Sequence, residues 1–145
     1  MSTLQEFDRT LFLFHSPIHI RWADIDALQH VNNAIYLSYF EQARIDYFRE
    51  VGQWDWDKIG MILASNTVNY HKPLFPRDKA SVWLRTSRIG NKSFEMEYLV
   101  IRMNGEQEEI LTSARAVLVA YDYRKSLTIP LPETYREAII DFEKA

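Results

Sequence analysis

The sequence predicts an α+β fold: one long helix laid across a single curled, nearly all-antiparallel sheet of five or six strands. Three observations predict it. Between Ala34 and Val51 the apolar residues Tyr36, Tyr39, Phe40, Ala43, Tyr47 and Val51 recur at helical spacing and form one stripe. From Met61 onward the period changes to two, in four successive runs. Those runs are joined by turn chemistry, Gly90-Asn91 and Asn104-Gly105, short enough to force antiparallel neighbours. The dimensions agree. A helix of about 19 residues spans roughly 28 Å at 1.5 Å per residue. Five or six strands about 4.8 Å apart are roughly 24–29 Å wide. One helix therefore covers the concave face of the sheet.

Taken in order, the residues before about Leu11 read as a loose lead-in, and His15 to Trp22 alternates as a first strand, with Ile18, Ile20 and Trp22 on one face. A polar loop, Asp24 to Asn33, leads into the helix. Asn32 and Asn33 are good N-cap types, because a short amide oxygen accepts from the orphan N–H groups of a first turn. Gly52 suits the C′ position beyond the helix end. Glu41, Arg44, Arg49 and Glu50 are assigned to the solvent faces. Gln53 to Gly60 connects to a strand over Ile62–His71, which Pro73 and Pro76 end, since proline cannot donate to a ladder. Strands over Lys79–Ile89, Ser93–Met103 and Glu106–Asp122 follow. Glu133 to Glu143 reads as a short terminal helix. There is no internal repeat, so residues 1–145 are read as one domain.

Composition narrows the chemistry. The absence of cysteine excludes disulfides, thiolate metal sites and a Cys nucleophile. His19, His71 and Asp24 do not form a ligand cluster at recognisable spacing, so no metal site is expected. A net charge of −3 with both signs interspersed argues against nucleic acid as the main partner. The N-terminus lacks a basic region followed by an apolar run, and no run approaches the roughly 18–20 apolar residues that cross a membrane. A cytoplasmic protein without a membrane partner is the expectation. The aromatic fraction of 14% suits either a rich core or an apolar ligand pocket.

Polar groups concentrate in Asp24, Asp26, Gln29, His30, Asn32 and Asn33, just ahead of the positive end of a helix. That placement suits an anion, or a carbonyl oxygen about to become one. Each residue also has a plainer reading. Asp26 in D-A-L-Q is a turn former. His30 either orders the loop or orients a bound group. Asn32 and Asn33 are caps, and Tyr36, one turn into the helix, is core or ligand contact. Asp24 and Asp26, two residues apart, point to opposite sides of an extended loop, so only one of them faces a pocket; Asp26 is the choice, and Asp24 is left to a turn or a salt bridge. Arg85, Arg88, Lys92 and the adjoining Ser93 form either a solvated strand end or a clamp for phosphates.

The segment Arg21-x-x-Asp24-x-Asp26-x-x-x-His30-Val31-Asn32-Asn33-x-x-Tyr36 resembles the signature of hotdog-fold acyl-CoA thioesterases of the 4-hydroxybenzoyl-CoA thioesterase type, and also the D-x-x-x-H-V-N-N-x-x-Y stretch of plant acyl-ACP thioesterases. The likeness extends from about His15 to Pro130. Some members have glycine where this chain has Gln29 or His30. The resemblance implies a hotdog fold and hydrolysis of an acyl-CoA to a free acid and coenzyme A. Asp26 would be the catalytic carboxylate, as nucleophile or general base, and backbone N–H around Asn33 would polarise the thioester carbonyl, with His30 beside them. Asn32, Tyr36, Arg85, Arg88, Lys92 and Ser93 are the candidate substrate contacts. No cofactor is implied, coenzyme A being part of the substrate. The resemblance also implies active sites at the interface of a homodimer or homotetramer. The rival readings are a hotdog protein that binds acyl thioesters without turnover, and a dehydratase of hydroxyacyl thioesters.

Overall fold

The computed structural model describes residues 7–144. Strand β1 (Phe14–Pro17) precedes the long helix α1 (Tyr36–Glu50). Then come β2 (Gly60–Tyr70), β3 (Ala80–Ile89), β4 (Ser93–Asn104), β5 (Gln107–Asp122), β6 (Leu127–Thr128) and the helix α2 (Glu133–Lys144). The sheet order is β1-β3-β4-β5-β2, every pair antiparallel, with β6 added to β5. This is the hotdog architecture. Alternate residues of β3 and β4, Val82, Leu84, Phe94, Met96, Tyr98 and Val100, meet Tyr36, Phe40, Ala43, Tyr47 and Phe48 of the helix in one core. Burying each such side chain contributes about 1.5–3 kcal/mol. Small residues on β5, Ala114, Ala116 and Ala120, belong to the same core.

Four expectations are corrected. The first strand stops at Pro17: Ile18 makes one further bond, to the Ala80 carbonyl at 2.9 Å, and the chain then leaves the sheet. Ile18 and Ile20 still pack on the core, but Trp22 opens a 3-10 turn and is 92% exposed. The lead-in is partly built. Phe7 and Phe12 lie with Leu99 and Ile101 in a second cluster on the sheet's outer side, against Trp83, while residues before Phe7 lie outside the described part. The helix begins as a 3-10 turn over Asn33–Ile35 before α1. The β4–β5 hairpin turns on Gly105 and Glu106, since Asn104 still pairs with Gln107, and only Gly105 takes a positive φ, 67°. Gly52, φ 82°, follows α1 as expected.

The two sheet edges differ. β1 is four residues long, whereas β2 is eleven, and on its far side β2 has no neighbour among the described residues. No helix among the described residues is long and apolar enough to cross a membrane.

Candidate active site

The loop between Ile25 and Val31 is a miniature hairpin. Ile25 and Val31 form an isolated bridge, the Asp26 N–H donates to the His30 carbonyl at 3.1 Å, and the Gln29 N–H returns to the Asp26 carbonyl at 3.0 Å. Gln29 closes it with φ 66°, in the left-handed region where a side chain is penalised. Glycine takes that conformation without the penalty. Gln29→Gly relieves that strain and gives back part of it as unfolded-chain entropy, so a net gain of about 0.5–1 kcal/mol is expected. A thermal melt checks it. No change or a loss would show that the Gln29 side chain holds the loop.

Asp26 stands at the head of this turn, about one quarter exposed. Its Oδ1 accepts from the Leu28 N–H at 2.9 Å, the turn-forming bond anticipated for it, and lies 3.9 Å from His30 Nδ1. His30 Nδ1 is also 3.1 Å from the Val31 carbonyl oxygen. Asp26 Oδ2 makes no hydrogen bond among the described residues, so the carboxylate is held by one oxygen and open at the other.

Asp24 is the opposite case. It is fully buried, and its carboxylate accepts from the Arg21 N–H (2.9 Å), the Arg21 guanidinium (3.0 and 3.2 Å) and the Tyr39 hydroxyl (2.7 Å). Burial raises its pKa, but these hydrogen bonds and the guanidinium charge outweigh burial and hold it below the usual carboxylate range. Burial and the adjoining carboxylate push the Tyr39 hydroxyl far above an ordinary phenol, so it remains a donor. The Asp24 carbonyl accepts from the Asn32 N–H at 2.9 Å, tying the loop to the helix start. The salt bridge expected of Asp24 is therefore the anchor of the whole segment.

At the helix start, Asn32 Oδ1 caps the Ala34 N–H at 2.9 Å, and the Ile35 N–H bonds the Asn32 carbonyl. The Asn33 N–H has no acceptor among the described residues and is left at the positive end of the helix. The Tyr70 hydroxyl at the end of β2 donates to the Asn33 carbonyl at 2.8 Å, and the Val31 N–H bonds the Leu74 carbonyl. Neither support was read from the sequence, since both depend on how β2 and the following loop fold back. Tyr36 is 1% exposed, its ring edge-on to Tyr39 and Tyr70, so its place is in the core.

The remaining candidates lie elsewhere in the chain. Arg85 pairs with Glu97 at 2.8 Å, Arg88 with Glu95 at 3.3 Å, Lys92 sits in the β3–β4 turn and Ser93 opens β4. That turn adjoins the C-terminal end of α1, where Phe94 packs on Phe48. A helix of 15 residues separates it from Asp26 by roughly 22 Å. One chain thus brings Asp26, His30, Asn32 and Asn33 together and keeps the Arg85–Ser93 group apart from them. Along α1 from Asn33, a cavity of about 380 Å³ is lined by Glu41, Arg44, Ile45, Trp56, Met61, Leu63 and Leu118. Arg44, assigned to a solvent face, is in fact 8% exposed beside Tyr98. Among the described residues no three His, Asp or Glu side chains converge as a metal site.

The chain is 36% identical to a thioesterase of Thermus thermophilus solved with coenzyme A and zinc, covering 90% of this chain and 94% of that one with a TM-score of 0.77. It is 29% identical to a crystallised protein of Pseudomonas aeruginosa strain PAO1, covering 92% and 93%, TM-score 0.82. It is 26% identical over 127 residues to the long-chain acyl-CoA thioesterase FadM of Escherichia coli, which is 86% of this chain and 95% of FadM. A family model described as the thioesterase-like superfamily matches residues 20–139. With the motif, the hotdog sheet and a match running from the strand exit through most of α2, the chain belongs to the thioesterase-like superfamily.

Proposed function

We propose that the protein hydrolyses the thioester of an acyl-CoA to a free carboxylic acid and coenzyme A, in the manner of the 4-hydroxybenzoyl-CoA thioesterase type. The observation that carries the reading is a half-free carboxylate, Asp26, in the loop just ahead of the unoccupied backbone donor, Asn33 N–H, at the helix start. The thioester oxygen sits on the Asn33 N–H, where the helix end stabilises the negative charge that develops on it. Asp26 then takes a proton from an attacking water, or itself adds to the carbonyl carbon to give a mixed anhydride that water opens. In both routes the C–S bond breaks and the sulfur leaves as the thiolate of coenzyme A. The acyl group runs along α1 into the cavity walled by Ile45, Trp56, Met61, Leu63 and Leu118, which is apolar except for Glu41 and Arg44. Thioesterase relatives, one of them crystallised with coenzyme A, support the choice of a CoA thioester.

The site is completed by a second copy, in a homodimer or an even multiple of it. The long open edge of β2 invites pairing. Asp26 and the β3–β4 turn stand at opposite ends of α1, and in this reading Arg88 and Lys92 serve the CoA phosphates of the neighbouring chain's site. Arg88→Ala and Lys92→Ala should then raise KM for an acyl-CoA several-fold with kcat nearly unchanged, because such a contact is uniform between ground and transition states. A pantetheine thioester lacking the nucleotide should be indifferent to both changes. Equal losses on the two substrates would assign these residues to structure. Hydrolysis itself is tested by thiol release from purified protein.

A further inference from the structure

Trp56 lines the cavity along α1 and belongs to the connector between α1 and β2. That connector leaves the C-terminal end of α1, so Trp56 stands on the side of the cavity away from Asn33. Connecting segments are ordinarily the more mobile parts of a fold, but this one is clamped. Trp54 Nε1 donates to the Ile59 carbonyl at 2.9 Å. The Trp54 ring stacks on Tyr135 of α2 at 4.3 Å and meets Phe48 of α1 at 5.0 Å. The Asp55 N–H donates to the Tyr135 hydroxyl at 3.1 Å. Trp56 itself rides on a closed turn: the Lys58 and Ile59 N–H groups both bond the Asp55 carbonyl at 3.1 Å, and the Asp57 N–H bonds Asp55 Oδ1 at 3.0 Å. Its ring lies 5.8 Å from the buried Trp54 ring and is still 43% exposed. A bulky ring is thus held at one place by both helices.

The cavity also stands at a distance from the chemistry. Of its residues on α1, Glu41 comes first and Ile45 last, roughly 12 and 18 Å along the helix from Asn33. Leu37, about one turn from Asn33 and from Glu41, is 44% exposed and continues the same face. An acyl chain that starts at the Asn33 N–H therefore passes Leu37 before it enters the cavity. An aryl ring bonded to the carbonyl carbon ends short of it, as does a short aliphatic group. Inside, Arg44 takes its guanidinium to the Tyr98 hydroxyl at 3.1 Å, and Ile45, Met61, Leu63 and Leu118 offer an apolar wall that ends at Trp56. We propose that the substrate is a long unbranched aliphatic acyl-CoA, and that Trp56 is the specificity residue that limits its chain length by meeting the methyl end. This rests on the reading of the site as an acyl-CoA thioesterase. It names the acyl class and the residue that measures it.

The test uses S-alkyl-CoA thioethers of increasing chain length, which cannot be hydrolysed, with affinity measured by titration calorimetry on the purified full-length protein. In the wild type, affinity should rise about fourfold per methylene once the chain is long enough to enter the cavity, and then level off at one length. Trp56→Ala should keep the slope and move the levelling-off point to longer chains. Trp56→Phe, with a smaller ring, should fall between the two. Circular dichroism melts and sedimentation velocity establish that each variant keeps its fold and its assembly. If Trp56→Ala fails to fold, the shift in Trp56→Phe decides. An unmoved levelling-off point in a folded variant overturns the proposal, including one in which affinity falls equally at every length. An affinity that does not depend on chain length in the wild type overturns it as well. Binding is read without turnover. A limit that moves in a protein that releases no thiol keeps Trp56 as the measure of chain length and removes hydrolysis, and thiol release with an unmoved limit does the reverse.

Discussion

Asp26→Asn should lower kcat for the best acyl-CoA by at least 100-fold while leaving KM and the melting temperature nearly unchanged. The amide keeps the shape of the carboxylate and an oxygen to accept from the Leu28 N–H, so the turn from Asp26 to His30 survives. What it loses is negative charge, and with it both candidate roles. A general base alone is usually worth about 10²–10⁴-fold. Acyl and nucleotide contacts lie away from Asp26 in the proposed arrangement, which is why KM is spared. Steady-state kinetics of the two proteins, with a thermal melt of each, check this. Near-wild-type kcat in Asp26→Asn would remove Asp26 from the chemistry.

Asp24→Asn should act on stability instead, with an expected loss of about 2–4 kcal/mol, since hydrogen bonds to a buried charged group are worth more than neutral ones and breaking a buried pair is strongly destabilising. The exposed Arg21 side chain, 67% accessible, keeps the figure below that of a fully buried pair. The loss carries a pH signature. Because the folded-state pKa of Asp24 is lowered, its contribution is fully present above the ordinary carboxylate range and is lost as pH falls through that range to the folded value. The gap in melting temperature between wild type and Asp24→Asn should therefore narrow in acid. Per folded molecule, kcat should fall far less than in Asp26→Asn. An unchanged melting temperature at neutral pH would contradict the anchoring role.

The fold was legible because its signals are local. Period two from Met61, the Gly105 turn and the aromatic stripe of α1 each follow from neighbouring residues. The same locality gave the cap at Asn32 and the turn bond of Asp26. The strand ending at Pro17 was overread because Ile18, Ile20 and Trp22 alternate, yet alternation fixes a face only while a neighbouring strand continues. Beyond the Ile18 bond to Ala80 none does. Arg44 was misplaced because a helical stripe counts apolar residues, and nothing nearby in sequence announces that Tyr98, 54 positions later, lies over it. The sequence leaves Asp24 to a turn or a salt bridge, whereas its complete burial depends on Tyr39 closing over it. The hydroxyl of Tyr70 at the helix start is likewise a product of the tertiary fold.

Thiol release from a panel of acyl-CoAs, short aliphatic through long-chain and aryl, tests the central claim most directly. The expected result is release of one coenzyme A per acyl-CoA consumed, with many turnovers per protein on at least one member of the panel and the rate at least 100-fold lower in Asp26→Asn. Stoichiometric binding of an acyl-CoA with no release above the buffer rate, on every member, would make this a thioester-binding protein and not a hydrolase.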